Sequence, residues 1–254
     1  MILLFDIGNT NTHLGLSDGG GITRQANIPT AGWFDGSAEK RVQRFVDDLP
    51  LTGAAFCSVV PGANLPGRRL VKRHWNLRAL ELSPATIQGI GIDYPNPKSI
   101  GADRLANAVA VRHRFGAPAV VVDFGTAVTF DVVNRKGNYV GGIIAPGLSA
   151  MTDYLHEKTA LLPKITIREI KAVIGKSTEE AMLIGAVHGY RGLIRGLLNE
   201  LKQTLKSDPL PVVATGGYAQ LLTARIPEIT AVEPLLTLQG LQLVWGARER
   251  ERIA

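Results

Sequence analysis

The chain opens on an apolar run, Ile2 to Phe5, which meets Asp6-Ile7-Gly8 and resumes as alternating positions Thr12, Leu14 and Leu16. The same succession returns later: Ala119 to Val122, then Asp123-Phe124-Gly125, then Phe130 and Val132. A short apolar run, a glycine and period-two alternation together read as strand, tight turn, strand. Both turns spell D-x-G-x-x-x-T, Asp6 to Thr12 and Asp123 to Thr129, at an offset of 117 in 254 residues. A repeat spaced at nearly half the chain predicts duplication of one domain. Gly116-Ala117-Pro118 punctuates the middle, so the expected domains are 1–117 and 118–254.

The remaining pattern is α/β. Ala54 to Val60 reads as a strand ending at Pro61-Gly62, and Ala102 to Phe115 as a helix capped by Gly116. Thr178 to Lys206 carries the strongest helical signal, with Leu193, Leu197, Leu201 and Leu205 at four-residue spacing beside Ile194 and Leu198. Val212 to Ala214 reads as a short strand running into Gly216-Gly217, and Thr237 to Arg250 as a closing helix. Gly32 to Gly36 and Asp93 to Lys98 read as loops.

Composition narrows the class without naming a function. Hydrophobic residues at 45% and charged residues at 20% belong to a globular chain, not a disordered one. The most apolar uncharged stretch, Val140 to Met151, holds Gly141, Gly142, Pro146 and Gly147, and a membrane span needs about 20 predominantly apolar residues. No basic residue precedes the first apolar run, which does not fit a secretory signal. The single cysteine, Cys57, permits no internal disulfide, so a cytoplasmic protein is expected. The net charge of +6 is scattered, densest at Arg68-Arg69 and Lys72-Arg73. It forms neither a stripe nor a nucleic-acid reading module, and no nucleic-acid partner is expected. His13, His74, His113, His156 and His188 show no metal-ligand spacing.

The Asp6 to His13 segment supplies a glycine turn with exposed N–H groups and the short polar side chains of Asn9, Thr10 and Thr12, which can cradle phosphate oxygens. Asp6 would repel phosphate unless a divalent cation intervenes. An ordinary hairpin with an Asx-type turn is an equal reading of the same residues. Asp123 to Thr129 offers the same equipment, and in a two-lobed fold both turns could grip one nucleotide. Gly101-Ala102-Asp103-Arg104 follows the loop Tyr94-Pro95-Asn96-Pro97. From spacing alone its Asp103 suits the dipole at a helix start. A carboxylate acid–base group beside an anion-clamping arginine is the other reading. Gly141-Gly142 through Pro146-Gly147 and Thr215-Gly216-Gly217 read as turns that also allow close backbone approach to a ligand.

These pieces resemble a known family. DIGNTNT at 6–12, SVVPG at 58–62, YPNPKSIGADRLANAVA at 94–110, VVVDFGTAVTFDVV at 120–133, GGIIAPGLSAM at 141–151, IGKSTEEAMLIGAVHGYRGLI at 174–194 and VVATGGYA at 212–219 follow in order the pattern of the bacterial type III pantothenate kinases. The resemblance implies two ribonuclease H-like, actin-like ATPase domains with a cleft between them. It implies phosphorylation of pantothenate by ATP, the first step of coenzyme A biosynthesis.

On that resemblance Asp6, Ile7, Gly8, Asn9, Thr10, Asn11, Thr12 and His13 bind ATP, with Thr126. Tyr94, Gly101, Ala102, Asp103 and Arg104 hold pantothenate, with Asp103 as proton acceptor. Thr178 contacts pantothenate, Asp123 coordinates a monovalent cation (K⁺ or NH₄⁺), Mg²⁺ accompanies ATP, and the chain is a homodimer. Gly19 to Glu39 departs from the family, with an idiosyncratic Gly32-Trp33-Phe34, and His13 stands where relatives carry lysine or an apolar residue. A related ATP-binding regulatory protein of the same fold is the alternative.

Overall fold

The computed structural model describes residues 1–253. Contacts divide the chain into two units. One holds Met1–Arg114, Gly137–Val140 and the chain from Leu235 onward; the other holds Phe115–Lys136 and Gly141–Pro234. The elements run β1 (Ile2–Ile7), β2 (Asn11–Ser17), β3 (Ile22–Pro29), α1 (Gly32–Asp35), α2 (Ser37–Val46), β4 (Gly53–Ser58), α3 (Pro61–Trp75), β5 (Leu80–Glu81), β6 (Gly91–Ile92) and α4 (Ala102–Phe115). They continue with β7 (Ala119–Phe124), β8 (Ala127–Val133), β9 (Asn138–Pro146), α5 (Leu148–Lys158), α6 (Thr178–Ile184), α7 (Tyr190–Leu205), β10 (Val212–Thr215), α8 (Ala219–Thr223), β11 (Ala231–Val232) and α9 (Leu236–Ile253).

In the first unit the sheet order is β3-β2-β1-β4-β5. β1 runs antiparallel to β2 and parallel to β4. Leu3, Phe5 and Ile7 alternate along β1 onto one face and join a core with Val42, Phe45, Phe56 and Leu70. α2 enters that core because Ala38, Val42, Phe45 and Val46 recur at helical spacing. α3 starts on Pro61, whose missing N–H costs nothing in a first turn, and ends on Asn76 at φ 53. α9 packs on β1, β2 and β4. Two glycines permit close approach there. A Cβ at Gly53 would lie 2.1 Å from Trp245 Cζ2, and one at Gly240 would lie 2.0 Å from the Ala106 carbonyl oxygen of α4. Beside that crossing, Thr237 Oγ1 donates to Asn107 Oδ1 at 2.8 Å.

The second unit repeats the plan. Its strands lie in the order β9-β8-β7-β10-β11, with β7 antiparallel to β8 and parallel to β10. The short β6 pairs with Asn138 and Tyr139 at the start of β9. The duplication read from the sequence is therefore present as topology: in each unit the first strand is central and ends in the D-x-G turn.

The repeat is inexact at its most polar point. Asp6 pairs with His13 and Ile7 with Thr12, whereas Asp123 pairs with Thr129 and Phe124 with Val128. The first turn has four residues and the second three. His13, not Thr12, is thus the counterpart of Thr129, although the letters align the two threonines.

The helix expected over Ala102 to Phe115 has those bounds. The long helical region from Thr178 is α6 and α7 joined by a π-helical turn, Gly185–Gly189. Two expected loops are partly regular. Gly32 to Gly36 contains the one-turn α1, closed by Gly36 at φ 80. The Gly141 to Pro146 segment belongs to β9, where Gly141 takes φ 122 without interrupting the strand.

Candidate functional site

In the first unit, Asp6 of β1 and Cys57 of β4 lie side by side, and α4 holds Asp103 in its first turn. Asp6 and Cys57 are register partners on adjacent strands, and the Cys57 thiol donates to Asp6 Oδ1 at 3.4 Å. Burial, and then the charges of Asp6 and Asp103, push the Cys57 thiol well above its usual range, so it stays protonated. Asp6 thus touches the buried sulfur, and Asp103 acts on it through its charge.

Asp103 sits in the first turn of α4. Its Oδ1 accepts the Arg104 backbone N–H at 2.8 Å. A Cβ on Gly101 would lie 2.5 Å from that oxygen, so the glycine of GADR is the space into which the carboxylate folds back. Burial raises the Asp103 carboxyl above the ordinary carboxylate range, against the Arg104 N–H and guanidinium, which lower it. A carboxylate made more basic by desolvation is a better proton acceptor.

Arg104 and Tyr94 converge on a residue that the sequence did not single out. The Arg104 guanidinium lies 5.8 Å from the centre of the Tyr139 ring, and Tyr94 meets the same ring edge-on at 6.1 Å. Tyr139 is fully buried. Its signal was the aromatic in Gly-Asn-Tyr-Val, legible only once β6 and β9 are paired.

The turn after β1 is exposed at Asn9, Thr10 and Asn11, while Thr12 is fully buried. The Thr12 hydroxyl bonds inward, to Thr30 Oγ1 at 3.0 Å and from Trp33 Nε1 at 2.9 Å. His13 hydrogen-bonds Gln25, and burial holds its ring below the usual histidine range, hence neutral at pH 7. It brings no fixed positive charge to the turn.

In the second unit, Asp123, Thr126 and two of the glycine segments come together. A Cβ on Gly147 would lie 2.2 Å from the Thr126 carbonyl oxygen, and Gly147 N–H donates to that oxygen at 3.1 Å. Gly216, at φ 89, is pressed on the end of β7: its Cβ would lie 2.5 Å from Asp123 Oδ1. Thr178 is exposed at the start of α6, where Ser177 caps Glu180 N at 3.2 Å and Glu180 reaches back to Lys176 N–H at 2.7 Å, a capping box displaced by one residue.

A cavity of about 630 Å³ between α3, β5 and α9 lies elsewhere. None of Asp6, Cys57, Asp103 or Arg104 lines it, so cavity size alone does not find this chemistry.

Two units on one strand order, each with an acidic glycine turn after its central strand, define the class: the fold of actin-like ATPases and sugar kinases. Solved structures share that fold. A protein described as a Baf family transcriptional activator from Campylobacter jejuni aligns at TM-score 0.59 and 18% identity, covering 98% of this chain and 99% of its own. A protein described as an N-acetylmannosamine kinase from Listeria monocytogenes aligns at 0.56 and 13%, covering 98% and 99%.

The sequence is more specific. Residues 2–200 match the family model of type III pantothenate kinase. The type III pantothenate kinase of Methylacidiphilum infernorum is 46% identical over 96% of this chain and 87% of its own length. That of Akkermansia muciniphila is 43% identical over 96% and 98%. The chain belongs to the type III pantothenate kinase family. No described helix is long and apolar enough to cross a membrane.

Proposed function

We propose that this chain transfers the γ-phosphoryl group of ATP to the primary hydroxyl of pantothenate, the entry step of coenzyme A biosynthesis. Family membership supports the reaction. The observation that supports it on this chain is Asp103 at the start of α4, a half-buried carboxylate made more basic by desolvation, with Arg104 next to it.

A primary alcohol is barely ionised at pH 7. In the proposed step its oxygen bonds to the γ-phosphorus as the bond to the bridging oxygen of ADP breaks, and Asp103 takes the hydroxyl proton. Phosphoryl transfer depends mainly on alignment and charge neutralisation, so Asp103 assists a reaction that positioning makes possible. Arg104 donates to the pantothenate carboxylate, its guanidinium held against Tyr139, with Tyr94 beside them. The turn from Asp6 to His13 receives the ATP phosphates, and Thr126 contributes to ATP binding.

Among the described residues no cluster of three or more His, Cys, Asp or Glu could hold a metal by itself. The residues present fit Mg²⁺ brought by ATP, because kinase magnesium takes one or two carboxylates plus phosphate oxygens and water. Asp6 offers the carboxylate. Asp123 offers another hard oxygen on a turn rich in carbonyls, which fits K⁺ or NH₄⁺. When bound, these ions supply charge neutralisation at the phosphates. A cytoplasmic homodimer, with Thr178 contacting pantothenate, completes the reading.

The test is steady-state ADP release with ATP and Mg²⁺, titrated with pantothenate. Release that saturates with pantothenate is expected, and release indifferent to pantothenate would refute the reaction.

A further inference from the structure

The segment Gly19 to Glu39 holds residues tied to the turn after β1. Thr30 Oγ1 donates to the Gly8 carbonyl oxygen at 2.7 Å. A hydroxyl has one proton to give, so in the 3.0 Å contact between Thr12 and Thr30 the donor is Thr12. Thr12 Oγ1 in turn accepts the Trp33 indole N–H at 2.9 Å. The proton directions therefore run one way, from Trp33 through Thr12 and Thr30 to the Gly8 carbonyl. Thr12, Thr30 and Trp33 are all buried, so the two bonds between their side chains replace ones that water cannot supply.

The backbone adds to this clamp. Thr30 N–H donates to the Thr10 carbonyl at 3.0 Å, and Gly8 N–H to that of Asn11 at 3.0 Å. In a trans peptide the carbonyl and the following N–H point in opposite directions. Holding the Gly8 carbonyl toward Thr30 thus turns the N–H of Asn9 away from it, on a residue exposed to solvent. An outward backbone N–H on a glycine turn is what a phosphate oxygen requires.

The anchor is rigid. Trp33 stands on the one-turn α1, with its N–H on the Thr30 carbonyl at 3.0 Å, and its ring meets Phe5 edge-on at 5.9 Å. Gly67 of α3 packs nearby: a Cβ there would stand at ordinary van der Waals distance, 4.0 Å, from both Trp33 and Ile7.

We propose that Trp33 and Thr30 are positioning residues for ATP, acting through a one-way hydrogen-bond relay that fixes the Gly8–Asn11 turn with the Asn9 N–H outward. This deepens the kinase reading and rests on it for the identity of the ligand. Thr30→Val keeps the volume and removes the hydroxyl, so the Gly8 carbonyl loses its donor and the Thr12 hydroxyl proton loses its acceptor. The expected result is a rise of about tenfold in the KM for ATP and in the Kd of a non-hydrolysable ATP analogue with Mg²⁺. The pantothenate KM should stay within about twofold, the signature of a loss confined to nucleotide binding. Thr30→Ser should restore ATP affinity. Trp33→Phe, which keeps one aromatic ring but loses the indole N–H and part of the packing, should fall between them and carries the comparison if Thr30→Val does not fold.

The relay is overturned if ATP and pantothenate are weakened alike, if Thr30→Ser is as impaired as Thr30→Val, or if folded variants bind the ATP analogue as the native chain does. A native chain that binds the analogue but does not phosphorylate pantothenate would refute the reaction instead, and the analogue titration would still decide the relay.

Discussion

Replacing Asp103 with Asn should separate catalysis from stability. The variant removes the proton acceptor, and a positioned general base contributes about 10²- to 10⁴-fold, so turnover should fall within that range with ATP affinity near native. Its effect on folding has the opposite sign. Burial is the largest influence on the Asp103 carboxyl, outweighing the Arg104 N–H and guanidinium, so its folded pKa is raised. A raised carboxyl contributes stability only below its unfolded pKa and loses it as pH climbs through the folded value. At pH 7.5 the native chain therefore carries an ionised group that folding disfavours. Each tenfold difference in proton affinity is worth about 1.4 kcal/mol.

Against that gain, Asn still accepts the 2.8 Å Arg104 N–H bond but without charge, a loss of about 1 kcal/mol. The net expectation is a variant at least as stable as the native chain at pH 7.5, with its relative advantage shrinking as pH falls toward 4. Urea unfolding of both proteins across that range reads the difference. A variant whose relative stability improves on acidification would show that the carboxylate is favoured by folding, and the basis for calling Asp103 a strengthened base would be gone.

Arg104→Ala should raise the pantothenate KM about 10- to 150-fold, the value of a charge-assisted hydrogen bond, and the ATP KM far less; equal losses would indicate misfolding. Initial rates in a Tris buffer balanced with sodium should rise on adding K⁺ or NH₄⁺, mainly through tighter ATP binding, and Asp123→Asn should abolish that response; full activity in sodium alone would give Asp123 another task. Gly240→Ala drives a Cβ to 2.0 Å from the Ala106 backbone, so it should destabilise the fold by about 3 kcal/mol in thermal or urea unfolding, more than a surface glycine such as Gly20.

Much of the fold is legible because polar residues interrupt otherwise apolar strands at the places where the chain turns. Asp6-Ile7-Gly8 and Asp123-Phe124-Gly125 are visible for that reason, and so is α4, whose buried run from Leu105 to Val111 ends at Gly116. What escapes the sequence depends on distant pairing. A one-residue difference in turn length is invisible in D-x-G-x-x-x-T, yet it makes Thr12 a buried anchor and puts His13 opposite Asp6. Cys57 becomes the neighbour of Asp6 only through the register of β1 with β4. Tyr139 becomes the partner of Arg104 only when β9 begins beside β6. Trp33 looks like a loop residue because four residues are too few for a helical period to show. The placement of α9 with the first unit rests on small contacts at Gly53 and Gly240, which periodicity cannot encode.

The most direct test of the kinase assignment incubates labelled pantothenate with ATP, Mg²⁺ and K⁺ and resolves the product, for the native chain and for Asp103→Asn. The assignment predicts labelled 4′-phosphopantothenate in amounts matching the ADP formed by the native chain, and at least a hundredfold less from a variant that still binds ATP. ATP binding by the native chain with no labelled phosphopantothenate would contradict it.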